Sequence, residues 1–323
     1  VYRILSPLAF LAAIVFCTMP SHAATPPWRP VNASGPHGIV PSHASPFARS
    51  GSGNLVYHSG GSVQTGTKTT YAIYWNPWGA TDDASYQSTI NTYFSNVAAA
   101  SGAASNVYDV DTQYYQNIGS TAYITYAETS AGSGTDTTTP SSSGCSSTAG
   151  GTLGCVSDAQ MQQEVLNYVH ANNLPEGLGH EYFVFLGNGV STCSGSSCFV
   201  SQFCAYHGSF TDSSTGQTVL YANMPYAGYS LSACGSGQYP NGDSAADSTI
   251  NVTSHEANET ITDPLGNAWY DRTGYEIGDK CAWNFGTALG GVSGKEYNQV
   301  INGHDYYLQQ EWSNKNSGCV LHM

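Results

Sequence analysis

Charged residues are what this sequence has least of. Only 9% of its 323 residues are Asp, Glu, Lys or Arg, and eight Lys and Arg stand against 22 Asp and Glu, a formal charge of -14. A nucleic-acid binder neutralises phosphates with a basic stripe, so that class is excluded and no nucleic-acid partner is expected. Long apolar runs are scarce too. The one candidate, residues 5–19, falls short of the roughly 20 residues that a membrane span needs and is broken by Ser6 and Pro7, so no stable membrane anchor is expected. Low charge does not imply disorder here, because 40% of the chain is hydrophobic and 12% aromatic, with 23 Tyr, enough to bury a core.

The N-terminus speaks to compartment. Arg3, the apolar run and Ser21-His22-Ala23, a small-x-small cleavage site, read as a secretory signal peptide over residues 1–23, and the mature protein is expected to be secreted and extracellular. Residues 24–54 are rich in Pro, Ser and Ala without periodicity and read as a linker or propeptide, leaving 55–323 as a single domain. Cleavage after Ala23 removes Cys17 and leaves eight of the nine cysteines, and an even set in an exported chain implies disulfides. Short loops favour Cys145 with Cys155 and Cys193 with Cys198. Cys204 with Cys234 and Cys281 with Cys319 complete the expected set, although eight cysteines allow 105 pairings.

The periodicity is that of an α+β domain with a mixed sheet. Residues 70–75, aromatic and β-branched and closed by Asn76-Pro77, read as a strand. Asp82 or Asp83 can cap a helix whose Tyr86, Ile90, Tyr93, Phe94 and Val97 share a face. Residues 107–116 and 121–127 read as strands, and 129–151, rich in Ser, Thr and Gly, as a surface loop. Ser157 caps a second helix, 182–186 reads as a buried strand, and Asn302-Gly303 marks a hairpin near the C-terminus.

Chemistry concentrates in residues 248–264. Asp247 or Ser248 can cap a helix that Pro264 stops, and within it His255 and Glu259 stand at i and i+4. That spacing stacks two metal-competent side chains on one face, with Glu256 free to serve as general base, as in the HExxH helix of zinc proteases. Here the motif is HExxE, with a carboxylate replacing the second His. A third ligand comes from downstream: Glu276 follows Glu259 after sixteen residues, near the spacing of the gluzincin metallopeptidases, while Asp279 or Asp263 could instead bind or orient His255.

Beyond this helix, the chain resembles a bacterial branch of the EXORDIUM-like, or phosphate-induced, secreted proteins. The resemblance runs through Val56-Tyr57-His58-Ser59-Gly60-Gly61, residues 70–78, Phe203-Cys204-Ala205-Tyr206-His207-Gly208, Ile261-Thr262-Asp263-Pro264 with Glu276 and Cys281, and the hairpin before Cys319. It implies secretion and cell-wall association. The HExxE stretch, by contrast, is similar to a zincin-like metallopeptidase helix. The expectation is therefore a secreted zinc hydrolase acting on extracellular peptide or protein. One zinc ion would be held by His255, Glu259 and Glu276 or Asp279, with Glu256 as base and His207 or Tyr270 as oxyanion donor. Two rivals are a wall or polysaccharide-binding protein using aromatics such as Tyr74, Trp75, Trp78, Trp269, Tyr270 and Trp283, and a metal-independent glycosidase using Glu256 and Asp279.

Overall fold

The computed structural model describes residues 38–43, 45 and 53–323. The expected signal peptide, and most of 24–54, lie outside the described residues. Six strands form one mixed sheet: β1 (Ile39–Pro41), β2 (Lys68–Trp75), β3 (Glu128–Asp136), β4 (His180–Leu186), β5 (Phe203–Thr211) and β6 (Thr218–Met224). Their order is β1-β5-β6-β4-β2-β3, antiparallel from β1 to β6 and parallel from β6 to β3. Three longer helices pack on it: α1 (Ala84–Ala99), α2 (Asp158–Asn172) and α3 (Ser244–Thr262). The protein is α+β with a mixed sheet, and its four disulfides are Cys145–Cys155, Cys193–Cys198, Cys204–Cys234 and Cys281–Cys319. Among the described residues no helix is long and apolar enough to cross a membrane.

Local sequence explains the helix starts. Asp83 accepts from the Tyr86 amide at 3.0 Å, and Ser157 with Gln160 forms a capping box. α3 begins a turn earlier than its periodicity implies, because Asp243 caps it by accepting from the Ala245 and Ala246 amides. Asn302-Gly303 makes the expected tight hairpin, both residues having positive φ (50° and 81°) between Gln299–Ile301 and His304–Tyr306.

Three expectations need correction. Residues 107–113 form a 3-10 helix rather than a strand, capped by Asn106, whose side chain accepts from the Tyr108 amide. Of residues 121–127, only 121–123 are extended, in the short strand Ser120–Tyr123. Residues 129–136 belong to β3, not to a loop. β3 is an edge strand held by its main-chain ladder to β2, so Ser, Thr and Gly suffice where no second neighbour must be packed.

The two sheet faces carry different partners. Along β5 successive side chains alternate: Tyr206 donates to Asp158 of α2 at 2.8 Å, whereas His207 points to α3. α1 lies beside α3, linked by Tyr86 Oη to Thr249 Oγ1 at 3.2 Å. α3 is buried along its whole length although rich in Ser, Thr, Asn and acids. Several of its side chains bond back to the helix's own carbonyls: Thr253 donates to the Thr249 carbonyl, Asn258 to that of Ser254 and Thr262 to that of Asn258.

Candidate metal centre

The buried helix α3 delivers His255, Glu256 and Glu259 to one place, and β5 and the loop 276–279 deliver the rest. His255, Glu256, Glu259 and Glu276 have no solvent exposure, His207 has 4% and Asp279 7%. Two donor groups result. His255, Glu259 and Asp279 form one, and His207, Glu259 and Glu276 the other, with Glu259 common to both.

In the first group, His255 Nε2 lies 2.9 Å from Glu259 Oε1 and 3.8 Å from Asp279 Oδ1. The 2.9 Å approach is out of line for a hydrogen bond, so Nε2 is left without a hydrogen-bond partner although fully buried. Glu259 Oε1 is positioned by the Asp279 amide at 2.8 Å, and Asp279 Oδ2 accepts from the Glu276 amide at 3.1 Å. The far ring nitrogen, Nδ1, is 2.7 Å from Gln309 Nε2, which also reaches the Gly278 carbonyl at 3.1 Å. Gly278 lies flat on the imidazole, since a Cβ there would fall 2.8 Å from the ring. Gln309 and Gly278 thus fix the His255 ring, and neither was singled out in the sequence; only their placement in space reveals them.

In the second group, His207 Nδ1 is 3.0 Å from Glu256 Oε2 and 3.7 Å from Glu259 Oε2, and its Nε2 is 3.9 Å from Glu276 Oε2. Glu256 Oε1 accepts from the Val40 amide at 3.2 Å. The structure therefore places His207 as the partner of Glu256, and sets Asp279 rather than Glu276 beside His255. Tyr270 is nine-tenths buried with its ring stacked on His58 (centroids 3.5 Å apart), near Asp263 and Glu276. Asp263 closes the turn after α3, accepting from the Asn267 and Ala268 amides at 2.6 Å. Of the aromatics considered for stacking on sugar, Tyr74, Trp75, Trp269, Tyr270 and Trp283 are all buried, so they pack rather than form a surface platform.

Electrostatics make the cluster costly as it stands. Among the described residues, the ion pairs of Glu256, Glu259 and Asp279 are with His207 and His255 alone. Burial, followed by repulsion from Glu259 and Asp279, holds the Glu256 carboxyl well above the usual carboxylate range. Burial likewise raises Glu259, Glu276 and Asp279. Burial pushes His255 down, against Asp279 and Gln309, so its ring is neutral at neutral pH. Neutral imidazole and carboxylate oxygens are zinc donors, and a cation would replace the protons these acids otherwise hold. With a cation on Nε2 the ring proton sits on Nδ1, and the Gln309 amide would then turn its oxygen, which has no hydrogen-bond partner, toward it. The donor types are those a divalent cation can take.

Comparison with known proteins gives one partial likeness. The chain is 33% identical to Protein EXORDIUM-like 3 of Arabidopsis thaliana over 154 residues, covering 38% of this chain and 44% of that relative. This supports the EXORDIUM-like resemblance, while the chain spans less than half of the relative's length. No family model matches the chain, and no solved structure matches it.

Proposed function

We propose that the protein is a secreted zinc-dependent hydrolase, a metallopeptidase built on the HExxE helix of a bacterial EXORDIUM-like chain. The observation that carries this reading is the convergence of the buried His255 Nε2, Glu259 Oε1 and Asp279 Oδ1, with the fully buried Nε2 lacking any hydrogen-bond partner. When bound, zinc supplies a Lewis acid that polarises a carbonyl and lowers the pKa of coordinated water to about 7. The chain's own residues do the rest. Glu256, next to His255 on α3, would as a carboxylate take a proton from the attacking water and return it to the leaving amine. His207 holds Glu256 Oε2 and sets its orientation. Gln309 and Gly278 hold the His255 ring. The four disulfides accord with an oxidising, extracellular setting.

The test is turnover on a peptide library supplied with zinc and read by mass spectrometry. Hydrolysis should need zinc, stop with chelator, and be lost in Glu256→Gln while that variant keeps its metal. Undiminished hydrolysis by Glu256→Gln would remove Glu256 from the mechanism.

A further inference from the structure

The candidate centre is sealed, and part of the seal is a piece of the chain that has no means of ordering itself. β1 comes from the Pro, Ser and Ala-rich stretch 24–54, yet Ile39 is 5% exposed and Val40 not at all. It lies antiparallel on the outer edge of β5, with Ile39 opposite Tyr206 and Val40 opposite Ala205. Its order derives from docking.

Most polar contacts of the described segment are made by its main chain, with Ser42 Oγ and His43 Nε2 adding side-chain contacts to the Ser201 and Gly235 carbonyls. The Gly38 carbonyl accepts from the His207 amide at 3.1 Å, the Pro41 carbonyl from Trp283 Nε1 at 2.8 Å, and the Val40 amide donates to Glu256 at 3.2 Å. The Ser42 and His43 amides donate to the carbonyls of Gln202 (3.0 Å) and Ala233 (2.9 Å). Main-chain pairing to a sheet edge, with side chains such as Ile39 and Val40 filling pockets, is how a protein takes up an extended peptide of varied sequence. The segment also lies against Glu256, the proposed base, and His207, which orients it. Val40 occupies Glu256 Oε1. Gly38, at φ 59°, sits so close to His207 that a Cβ there would fall 2.0 Å from Cε1.

We infer that the outer edge of β5, beside Glu256 and His207, is a binding groove for an extended peptide, and that β1 is its built-in occupant, blocking the site in the intact chain. The inference rests on the metallopeptidase reading for the fate of the peptide, but the groove is testable without turnover. An internal occupant acts at an effective concentration of roughly millimolar, so an external peptide must displace it and binds correspondingly more weakly.

The experiment uses the full chain and a fluorescently labelled peptide of its own residues 36–45, read by anisotropy with zinc and again with chelator. Two variants undock β1 by different means: Gly38→Val places a side chain against His207, and Val40→Pro removes the amide given to Glu256. Both should capture the peptide at least tenfold more tightly than the unmodified chain, and a labelled peptide carrying Gly38→Val should not bind. Equal binding by the unmodified chain and the variants, or no binding by any, would overturn the inference. So would loss of the folded state, by circular dichroism, in both variants, because a displaceable strand can be undocked without unfolding the domain. Undocked variants should also hydrolyse peptides at least tenfold faster. Variants that capture the probe but cleave no peptide with zinc supplied would keep the groove and remove the peptidase reading.

Discussion

Zinc should stabilise this protein by an amount that can be worked out beforehand. A ligand that binds only the folded state adds RT ln(1 + [L]/Kd), about 2.7 kcal/mol at one hundred times Kd. For a domain of this size each kcal/mol moves the melting temperature by about 2 °C, so zinc at that excess should raise it by about 5 °C in differential scanning calorimetry. The sign of the pH dependence follows from the same groups. Burial raises Glu259 and Asp279, so each holds a proton that a cation must displace, and the shift should be larger at pH 8 than at pH 5.5. His255→Ala should abolish the shift, because it removes the nitrogen donor whose Nε2 lies 2.9 Å from Glu259. An equal zinc shift in His255→Ala, or none in the unmodified chain at pH 8, would refute the assignment of the donors.

Further predictions concern the supports of the site and the fold. Gln309→Leu should weaken zinc binding about 10–100-fold, the usual effect of losing the group that orients a ligating histidine, while Gln309→Glu should restore it; competition with a chromophoric chelator measures both. Glu128, buried beside Lys68, has its carboxyl raised to about 7. Its folded value lies above its unfolded one, so its contribution to stability is complete below about pH 4.5 and lost as pH rises through 7. Glu128→Gln should flatten that decline in urea titrations, and an unchanged slope would contradict it. Replacing Cys204 and Cys234 with Ser opens a closure of 30 residues and should cost about 3–4 kcal/mol, read as a lower urea midpoint.

The chemistry of α3 is legible in sequence because it is local. The i, i+4 pair of His255 and Glu259, the stop at Pro264 and the downstream carboxylates all lie within a short stretch. The start of α3 was harder to place, since Asp247 and Ser248 look like caps and only the structure shows Asp243 in that role. β5 escapes a periodicity reading because both its faces are covered, by α2 and α3, and no polar alternation survives. His207 reaches Glu256 from 49 residues away, and Gln309 reaches His255 from 54. Neither pairing leaves a local trace. β1 is the extreme case: Gly38 and Val40 belong to a stretch whose composition argues against order, and only the free edge of β5 gives them a partner.

The central claim is that His255, Glu259 and Asp279 hold a metal ion, and metal content tests it most directly. Protein purified without chelator or affinity tag, offered zinc and dialysed, should carry about one zinc per chain by plasma mass spectrometry, and His255→Ala should carry none. No metal in the unmodified chain, or equal metal in the variant, would contradict the account.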